Sequence, residues 1–158
     1  MRLRLVEPDD CHAVVDLIDS VLHEYGDAIC LEGADRDLND VCGYYNKLGG
    51  AFVVLDDGGR IRGTHAVVPV KNRPRVCNLR RLYLDASLRG GEWGTSLMDW
   101  ALDWGRVNGF DRCELWSDTR FARAHSFFRR FGFQRDGRSR DMNDGSMPYS
   151  EYFFFLAL

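Results

Sequence analysis

Apolar residues recur along the chain at every second position in some stretches and at every third or fourth in others, which predicts strands alternating with amphipathic helices. The clearest helix begins at Pro8, a residue suited to a first helical turn, and places six apolar side chains on one face. Those side chains are Val14, Leu17, Ile18, Val21, Leu22 and Tyr25.

The remaining elements follow from the same two periods and from the turn residues between them. Strands are predicted over 2–6, 51–55, 60–70, 77–84, 112–116, 133–138 and 149–158, and further helices over 37–48, 93–108 and 119–131. A loose loop over 141–148 separates the last two strands. The order β-α-α-β-β-β-α-β-α-β-β predicts one α/β domain, residues 1–158.

The composition narrows the class of protein. The chain has 158 residues, of which 45% are hydrophobic, enough for a core without disulfides or a structural metal. A net charge of −3 indicates no nucleic-acid partner, and no apolar run is long enough to span a membrane. The five cysteines are odd in number and contain no C-x-x-C pair, so we expect no metal site and a reduced, cytoplasmic protein.

A glycine-bearing loop, residues 89–94, lies between a predicted strand and the third helix. Unpaired backbone N–H groups converge at such a helix start, where the helix dipole adds roughly half a positive charge. Arg89 can add a charge-assisted contact, and the glycines let the backbone approach a ligand closely. The loop therefore predicts an anion site, with pyrophosphate as the expected anion and a helix-capping loop without ligand as the alternative.

Two motifs carry a resemblance to a known family. The first is Leu82-Tyr-Leu-Asp-Ala-Ser-Leu-Arg-Gly90 with Gly94, and the second is Ala124-x-x-Phe-Phe-x-x-Phe-Gly-Phe133, about one helix and one strand further on. Together they resemble the GNAT N-acetyltransferase superfamily, whose element order the chain follows almost throughout. The resemblance implies a three-layer α/β fold with about four helices and a mixed sheet of six to seven strands, splayed between strands four and five.

The resemblance also implies a function and a set of cofactor contacts. The function is the direct transfer of an acetyl group from acetyl-CoA to a primary amine of a small molecule. Strand four would pair with the pantetheine arm, the loop amides would hold the pyrophosphate, and a backbone N–H of Tyr83 or Leu84 would polarise the thioester carbonyl. The implied cofactor-binding residues are Leu82, Tyr83, Leu84, Arg89, Gly90, Gly91, Glu92, Trp93, Gly94, Thr95, Phe121 and Phe128.

Three residues depart from the family pattern, all on the cofactor side. Glu92 stands where a loop glycine is expected, and a left-handed backbone there would cost glutamate on the order of 1–2 kcal/mol. Phe128 replaces the tyrosine commonly assigned to protonate the departing thiolate, and it has no proton to donate. Phe121 replaces an asparagine and offers only apolar contact. Glu92 and Phe128 favour the alternative of a non-catalytic acyl-CoA-binding sensor.

Acetyl transfer also needs a group that accepts the proton of the amine. Glu151, which begins the last strand, is the first candidate, with a solvated strand-end glutamate as the alternative. His65 is the second, with a satisfied core histidine as the alternative. Asp118 is expected to cap the following helix. His125 is expected to be an exposed helix residue, although it could replace the missing tyrosine as a proton donor.

The first two helices and the loop between them are expected to shape the acceptor site. Their acidic run over 32–40 would suit a small cationic amine, although helix capping and solubility explain these acids equally well. A nucleophilic Cys77 or Cys113 is a third, weaker reading, because both cysteines fall on strands as core residues. The apolar segment 152–158 suits either the edge of a homodimer or a buried central strand.

Overall fold

The computed structural model describes residues 1–158 as one mixed sheet with helices on both faces. The strands are β1 (Arg2–Leu5), β2 (Ala51–Asp57), β3 (Arg60–Pro69), β4 (Val76–Leu84), β5 (Arg112–Asp118), β6 (Ser139–Met142) and β7 (Tyr149–Ala157). The helices are α1 (Cys11–His23), α2 (Val41–Lys47), α3 (Glu92–Val107) and α4 (Ala122–Arg130). The predicted α/β class and element order are confirmed.

The sheet has the order β1-β2-β3-β4-β5-β7-β6 and is antiparallel except between β4 and β5. Because β7 lies between β5 and β6, the apolar C-terminal segment is a central strand. Its central residues Phe153 and Phe154 are accordingly buried. None of the four helices has the length and apolar character that crossing a bilayer requires.

Two apolar clusters fill the two sides of the sheet. The amphipathic face of α1 packs with α2 against β2 and β3, as the spacing of its apolar residues predicts, and Tyr45 and Phe52 are its largest fully buried members. On the other side, α3 and α4 pack against β4, β5 and β7 around Met98, Phe128 and Phe154.

Strands β4 and β5 separate after only three residue pairs, of which Asn78 with Glu114 is the last. Just beyond this point β4 contains a bulge, since the register with β3 shifts by one residue between the Thr64–Tyr83 and Ala66–Arg80 pairs. Arg81 sits in the bulge with φ of 59°, a left-handed conformation rare for a residue with a Cβ. The predicted splay between strands four and five is therefore present.

Several predicted boundaries are wrong, among them the start of the second helix, which lies at Val41 and not at residue 37. Helix α3 begins at Glu92, inside the predicted loop, and α4 begins at Ala122 because Asp118 accepts the backbone N–H of Arg120 and holds residues 119–121 in a turn. No strand forms over 133–138, where Gln134 makes one isolated bridge and Gly137 adopts φ of 86°. Strand β6 forms later, at Ser139–Met142.

Candidate active site

The separation of β4 from β5 opens a cavity of about 880 Å³ that passes through the sheet. Leu79, Leu115 and Phe128 line it on the side of α3 and α4, and Tyr44 lines it on the side of α2. We call this cavity the cleft. A ligand lying in it can therefore be reached from both faces of the sheet.

Backbone N–H groups without partners face solvent at the start of α3. Those of Gly90 and Gly91 donate to no backbone or side-chain acceptor. Those of Glu92, Trp93 and Gly94 lie in the first helical turn, which has no intrahelical acceptor and no side-chain cap. Gly90 has φ of 78°, and no heavy atom lies within 4 Å of the place its Cβ would occupy. The residues fit an open cradle for an anion.

Glu92 does not strain this cradle. It is the first residue of α3, it is exposed, and it is absent from the residues with positive φ. The left-handed conformation falls on Gly90 instead, where glycine tolerates it. The expected backbone cost of glutamate at position 92 is therefore not incurred.

Arg89 is engaged by a partner that the sequence did not suggest. Both of its terminal nitrogens donate to the carboxylate of Glu24, just beyond α1, at 2.7 Å each, and its Nε donates to the carbonyl of Leu84 at 3.1 Å. The pairing lowers the pKa of Glu24. Arg89 thus ties the anion cradle to α1, so any contact with a phosphate would compete with Glu24.

The strand edge beside the cleft is free. Beyond Asn78, residues 79–84 of β4 pair with β3 on one side and with no strand on the other. Leu82, Tyr83 and Leu84 are partly buried along this edge, and Trp93 and Thr95 follow in the first turns of α3. An extended ligand chain can therefore add to the edge through backbone hydrogen bonds.

The two phenylalanines that depart from the family pattern both line the cleft, on opposite sides. Phe121 packs on Tyr25, with ring centroids 4.8 Å apart, and joins the cluster beneath α1. Phe128 is buried against Phe133 and Phe154 in the other cluster. Neither ring places a proton donor in the cleft.

Glu151 lies on β7 opposite Asp118 of β5, and both carboxylates line the cleft. The Glu151 carboxylate accepts hydrogen bonds from Arg140, whose guanidinium in turn lies 4.2 Å from the ring of Trp116. Glu151 is thus held in place at the cleft wall, with a side chain only 15% exposed.

His65 is 1% exposed and lines the cleft from β3, opposite the bulge in β4. Its Nδ1 lies 2.9 Å from the carbonyl of Leu97, so Nδ1 carries the proton in the neutral ring. Burial lowers the pKa of His65 from 6.5 to about 4, while the hydrogen bond to Leu97 raises it slightly. At neutral pH the ring is uncharged.

This buried ring predicts acid sensitivity. Because the pKa of His65 is about 4 in the folded chain and 6.5 in the unfolded chain, protonation favours unfolding. The stability that the neutral ring gives the folded chain is complete above pH 6.5 and is lost as pH falls towards 4. The free energy of unfolding then changes by about 3 kcal/mol. We expect His65→Asn, which keeps a donor to Leu97, to flatten the decline of unfolding free energy between pH 6.5 and 4.5 measured by urea titration. An unchanged slope would assign the decline to His125, whose pKa burial also lowers.

The contacts of His125 and Asp118 show that two further predictions are wrong. His125 is buried, not exposed, and its Nε2 lies 3.1 Å from Ser117 Oγ and 3.0 Å from the carbonyl of Asp118. Asp118 does not cap α4, because its carboxylate binds the backbone and guanidinium of Arg120. Arg120 also reaches Asp27, at 2.8 Å, from the segment after α1.

That same segment meets the loop between β6 and β7. Ser146 Oγ donates to Asp27, and the N–H of Ala34 donates to the carbonyl of Asp144 at 2.8 Å. Residues 27–35 and 143–148 therefore meet across the mouth of the cleft on the α1 side. Polar contacts form this mouth, and the predicted loose loop is one of its two walls.

The acidic run over 32–40 is occupied by structural contacts. Arg81, from the bulge in β4, forms ion pairs with Asp35 at 2.7 Å and Asp37 at 2.5 Å, and the hydroxyl of Tyr45 also donates to Asp37. Asp40 caps α2 by accepting the N–H of Gly43. The capping explanation is confirmed for Asp40, and Asp35 and Asp37 are already paired with a guanidinium.

The cysteine alternative is also contradicted. Cys77 and Cys113 are fully buried neighbours on β4 and β5. Burial raises the pKa of the Cys77 thiol to about 11 and raises that of Cys113 further. A buried thiol that stays protonated at neutral pH is a poor nucleophile.

Comparisons with known proteins agree with this geometry. A sequence model described as "Acetyltransferase (GNAT) family" matches residues 17–133. The chain is 26% identical over 136 residues to the uncharacterized N-acetyltransferase YjgM of Escherichia coli, covering 84% of this chain and 81% of that protein. It is also similar to an acetyltransferase structure from Streptococcus agalactiae, with a TM-score of 0.83, 19% identity and coverage of 99% and 98% of the two chains. YncA of Salmonella typhimurium, solved with its cofactor acetyl-CoA, gives a TM-score of 0.75 at 17% identity, covering 100% and 94%.

Proposed function

We propose that this chain, an acetyltransferase that belongs to the acetyltransferase (GNAT) family, takes its acetyl group from acetyl-CoA and transfers it to a primary amine of a small molecule. We propose further that residues 1–158 act as one domain in the cytoplasm. The observation that carries the proposal is the row of free N–H groups at 90–94 beside the unpaired edge of β4.

The proposed cofactor contacts follow the order of the chain. The amides of residues 90–94, with Thr95 beside them, would hold the pyrophosphate, and the backbone of Leu82, Tyr83 and Leu84 would bind the pantetheine arm. Acetyl-CoA supplies an activated acyl group at the end of that arm. An N–H of Tyr83 or Leu84 would donate to the carbonyl oxygen as negative charge develops there.

Opposite these contacts, Glu151 is proposed to accept the proton of the amine, directly or through water. Its carboxylate lines the cleft and is held by Arg140, which supports a fixed position. His65 is the second candidate, but a ring with a pKa of about 4 is a weaker base at neutral pH. The amine is proposed to attack the acyl carbon without a covalent enzyme intermediate, so alignment in the cleft supplies much of the rate.

Replacing the proposed base gives a direct test. Glu151→Gln keeps the shape of the side chain and removes the proton acceptor, so we expect kcat at pH 7 to fall about 10²-fold. Thiol release from acetyl-CoA in the presence of an accepted amine measures this rate.

Arg140→Gln is the matched control, because it breaks the same ion pair and leaves the carboxylate. We expect it to change kcat by less than about tenfold and to keep the acidic limb of the pH profile, which Glu151→Gln should lose. Equal losses in both variants would mean that the ion pair is structural and would remove Glu151 from the role of base.

One observation favours the sensor as a second candidate function: Phe128 offers no hydroxyl where the family commonly carries tyrosine. Against it, a free thiol has a pKa of about 8.5, so the departing thiolate is a fair leaving group and water can protonate it. Calorimetric titration with acetyl-CoA, paired with thiol release over an amine panel, separates the two functions. Binding without turnover of any amine would favour the sensor, and absence of binding would contradict both.

A further inference from the structure

The charges that line the cleft are unequally paired. Four acidic positions on its walls are taken up by guanidinium groups: Asp35 and Asp37 by Arg81, and Asp27 and Asp118 by Arg120. The two glutamates are taken up as well. Glu114 binds Arg73 and Arg112, and Glu151 binds Arg140.

What remains is mostly cationic. Three lining cations form no ion pair: Arg36, Lys71 and Arg80. Among the acidic lining residues only Asp144 forms none, and it accepts a hydrogen bond from the hydroxyl of Tyr149. Arg36 donates to the carbonyl of Glu32 near the exposed rim. The unpaired charges of the lining therefore favour a ligand that carries an anionic group.

Arg80 is the best placed of these cations. It lies on β4 between Leu79, which faces α3, and the bulge at Arg81, so its side chain faces the α2 side of the sheet. Its Nε donates to the side-chain oxygen of Asn78 at 3.0 Å, and the two terminal nitrogens have no protein partner.

Asn78 in turn fixes this arrangement to the point where the strands part. Its amide nitrogen donates to the carbonyl of Glu114 at 3.2 Å, across the last β4–β5 pair. The guanidinium of Arg80 is therefore held by one nitrogen, with its outer edge directed away from that support. A planar edge with two free donors is suited to a bidentate carboxylate.

We propose that Arg80, assisted by Lys71, binds a carboxylate on the acceptor, so that the accepted amines are amino acids or similar small molecules carrying both groups. This inference rests on the proposed function for the amine and adds the second recognition point. The cofactor side, where the N–H cradle opens α3, and the carboxylate side, where Arg80 lies, are on opposite faces of the sheet. Donor and acceptor would then approach the cleft from different sides.

The test compares each of several amino acids with its carboxamide, at the same acetyl-CoA concentration. The carboxamide keeps the amine and loses the negative charge. We expect kcat/KM to favour the acids by about tenfold or more. Arg80→Gln should remove that preference by raising KM for the acids, with KM for the carboxamides and the Kd of acetyl-CoA unchanged. Lys47→Gln, which removes a cation outside the cleft, should leave the preference intact.

Turnover is not the only readout. An N-acetyl amino acid, titrated calorimetrically into the CoA-saturated protein, should bind more weakly to Arg80→Gln than to the unaltered chain. Carboxamides accepted as well as acids, or product binding unchanged by Arg80→Gln, would overturn the carboxylate site and leave the acetyltransferase proposal standing. If no amine were acetylated, the proposal of an amine acceptor would fail, and the titration would still decide the role of Arg80.

Discussion

Gly91→Asp is expected to weaken acetyl-CoA binding about 10³-fold without lowering the stability of the fold. Gly91 precedes α3 with φ of −101°, an extended conformation open to any residue, and an added Cβ would meet only the carbonyl of Leu88 at 3.6 Å. An aspartate there can accept the free N–H of Trp93 or Gly94, which is a favourable helix cap. The same carboxylate would occupy the anion cradle.

The magnitude follows from the contacts that would be lost. Hydrogen bonds to a charged group contribute about 1.5–3 kcal/mol each, so losing two corresponds to roughly 10²–10⁴ in Kd. Repulsion between the new carboxylate and a pyrophosphate adds to this loss. Calorimetric titration measures Kd, and thermal unfolding is expected to show a midpoint at or above that of the unaltered chain.

Gly91→Asn is the matched control, since it caps the helix with a neutral side chain of the same size. It should lose far less affinity than Gly91→Asp, because it competes for an N–H without adding charge. Wild-type affinity in Gly91→Asp would mean that the pyrophosphate binds elsewhere.

Arg81→Ala is expected to lower the free energy of unfolding by about 3–5 kcal/mol. Asp35 and Asp37 are both buried, and the substitution would leave their carboxylates without a counter-charge. The hydroxyl of Tyr45 and the N–H of Cys30 would still donate to them, but neither carries charge. Urea titration at pH 7 measures the loss.

Arg75→Ala is a control matched in both charge and backbone. Arg75 also has positive φ, at 70°, and forms a 2.7 Å ion pair with Asp111, but side-chain exposures of 66% and 53% place that pair in solvent. Arginine and alanine share the Cβ that makes positive φ costly, so backbone strain cancels in each comparison. We expect less than about 1 kcal/mol from Arg75→Ala. A similar loss in both variants would show that burial of the Arg81 network adds nothing.

Adding Asp35→Asn and Asp37→Asn to Arg81→Ala extends the test. Neutral amides tolerate burial better than unpaired carboxylates, so the triple variant should be more stable than Arg81→Ala alone. Further destabilisation would indicate that Arg81 acts through packing and not through charge.

Much of the fold could be predicted because periodicity reports burial directly. The face of α1 and the run of β2 and β3 carry strong patterns, and these elements lie within three residues of their predicted limits. The segment 133–138 misled because Phe133 and Gln134 suit a strand locally, while Gly132 and Gly137 both take positive φ. The start of α4 depended on a contact of Asp118 with Arg120 that no period encodes.

The site was less predictable because its polar contacts join residues far apart in the chain. The anion cradle is local, so a strand, a glycine loop and a helix start were enough to suggest it. The partners of Arg89 and Arg81, at Glu24 and at Asp35 and Asp37, come from the α1–α2 region and leave no local trace. The one available signal was Arg80-Arg81 itself, two charges that interrupt the alternation of β4 where the bulge occurs.

Different interactions join the two halves of the sheet on the two sides of the cleft. Beneath α3 and α4 the two halves of the sheet share an apolar cluster, whereas on the α1 side they meet through Arg120 with Asp27 and through the contact of Ala34 with Asp144. Apolar packing hardly responds to ionic strength, but partly exposed ion pairs weaken as salt screens them. Salt should therefore loosen the contacts on the α1 side, where we propose that the acceptor enters, while the side of α3, where we propose that acetyl-CoA binds, stays rigid. Exchange of substrate and product would then not require the bound donor to move.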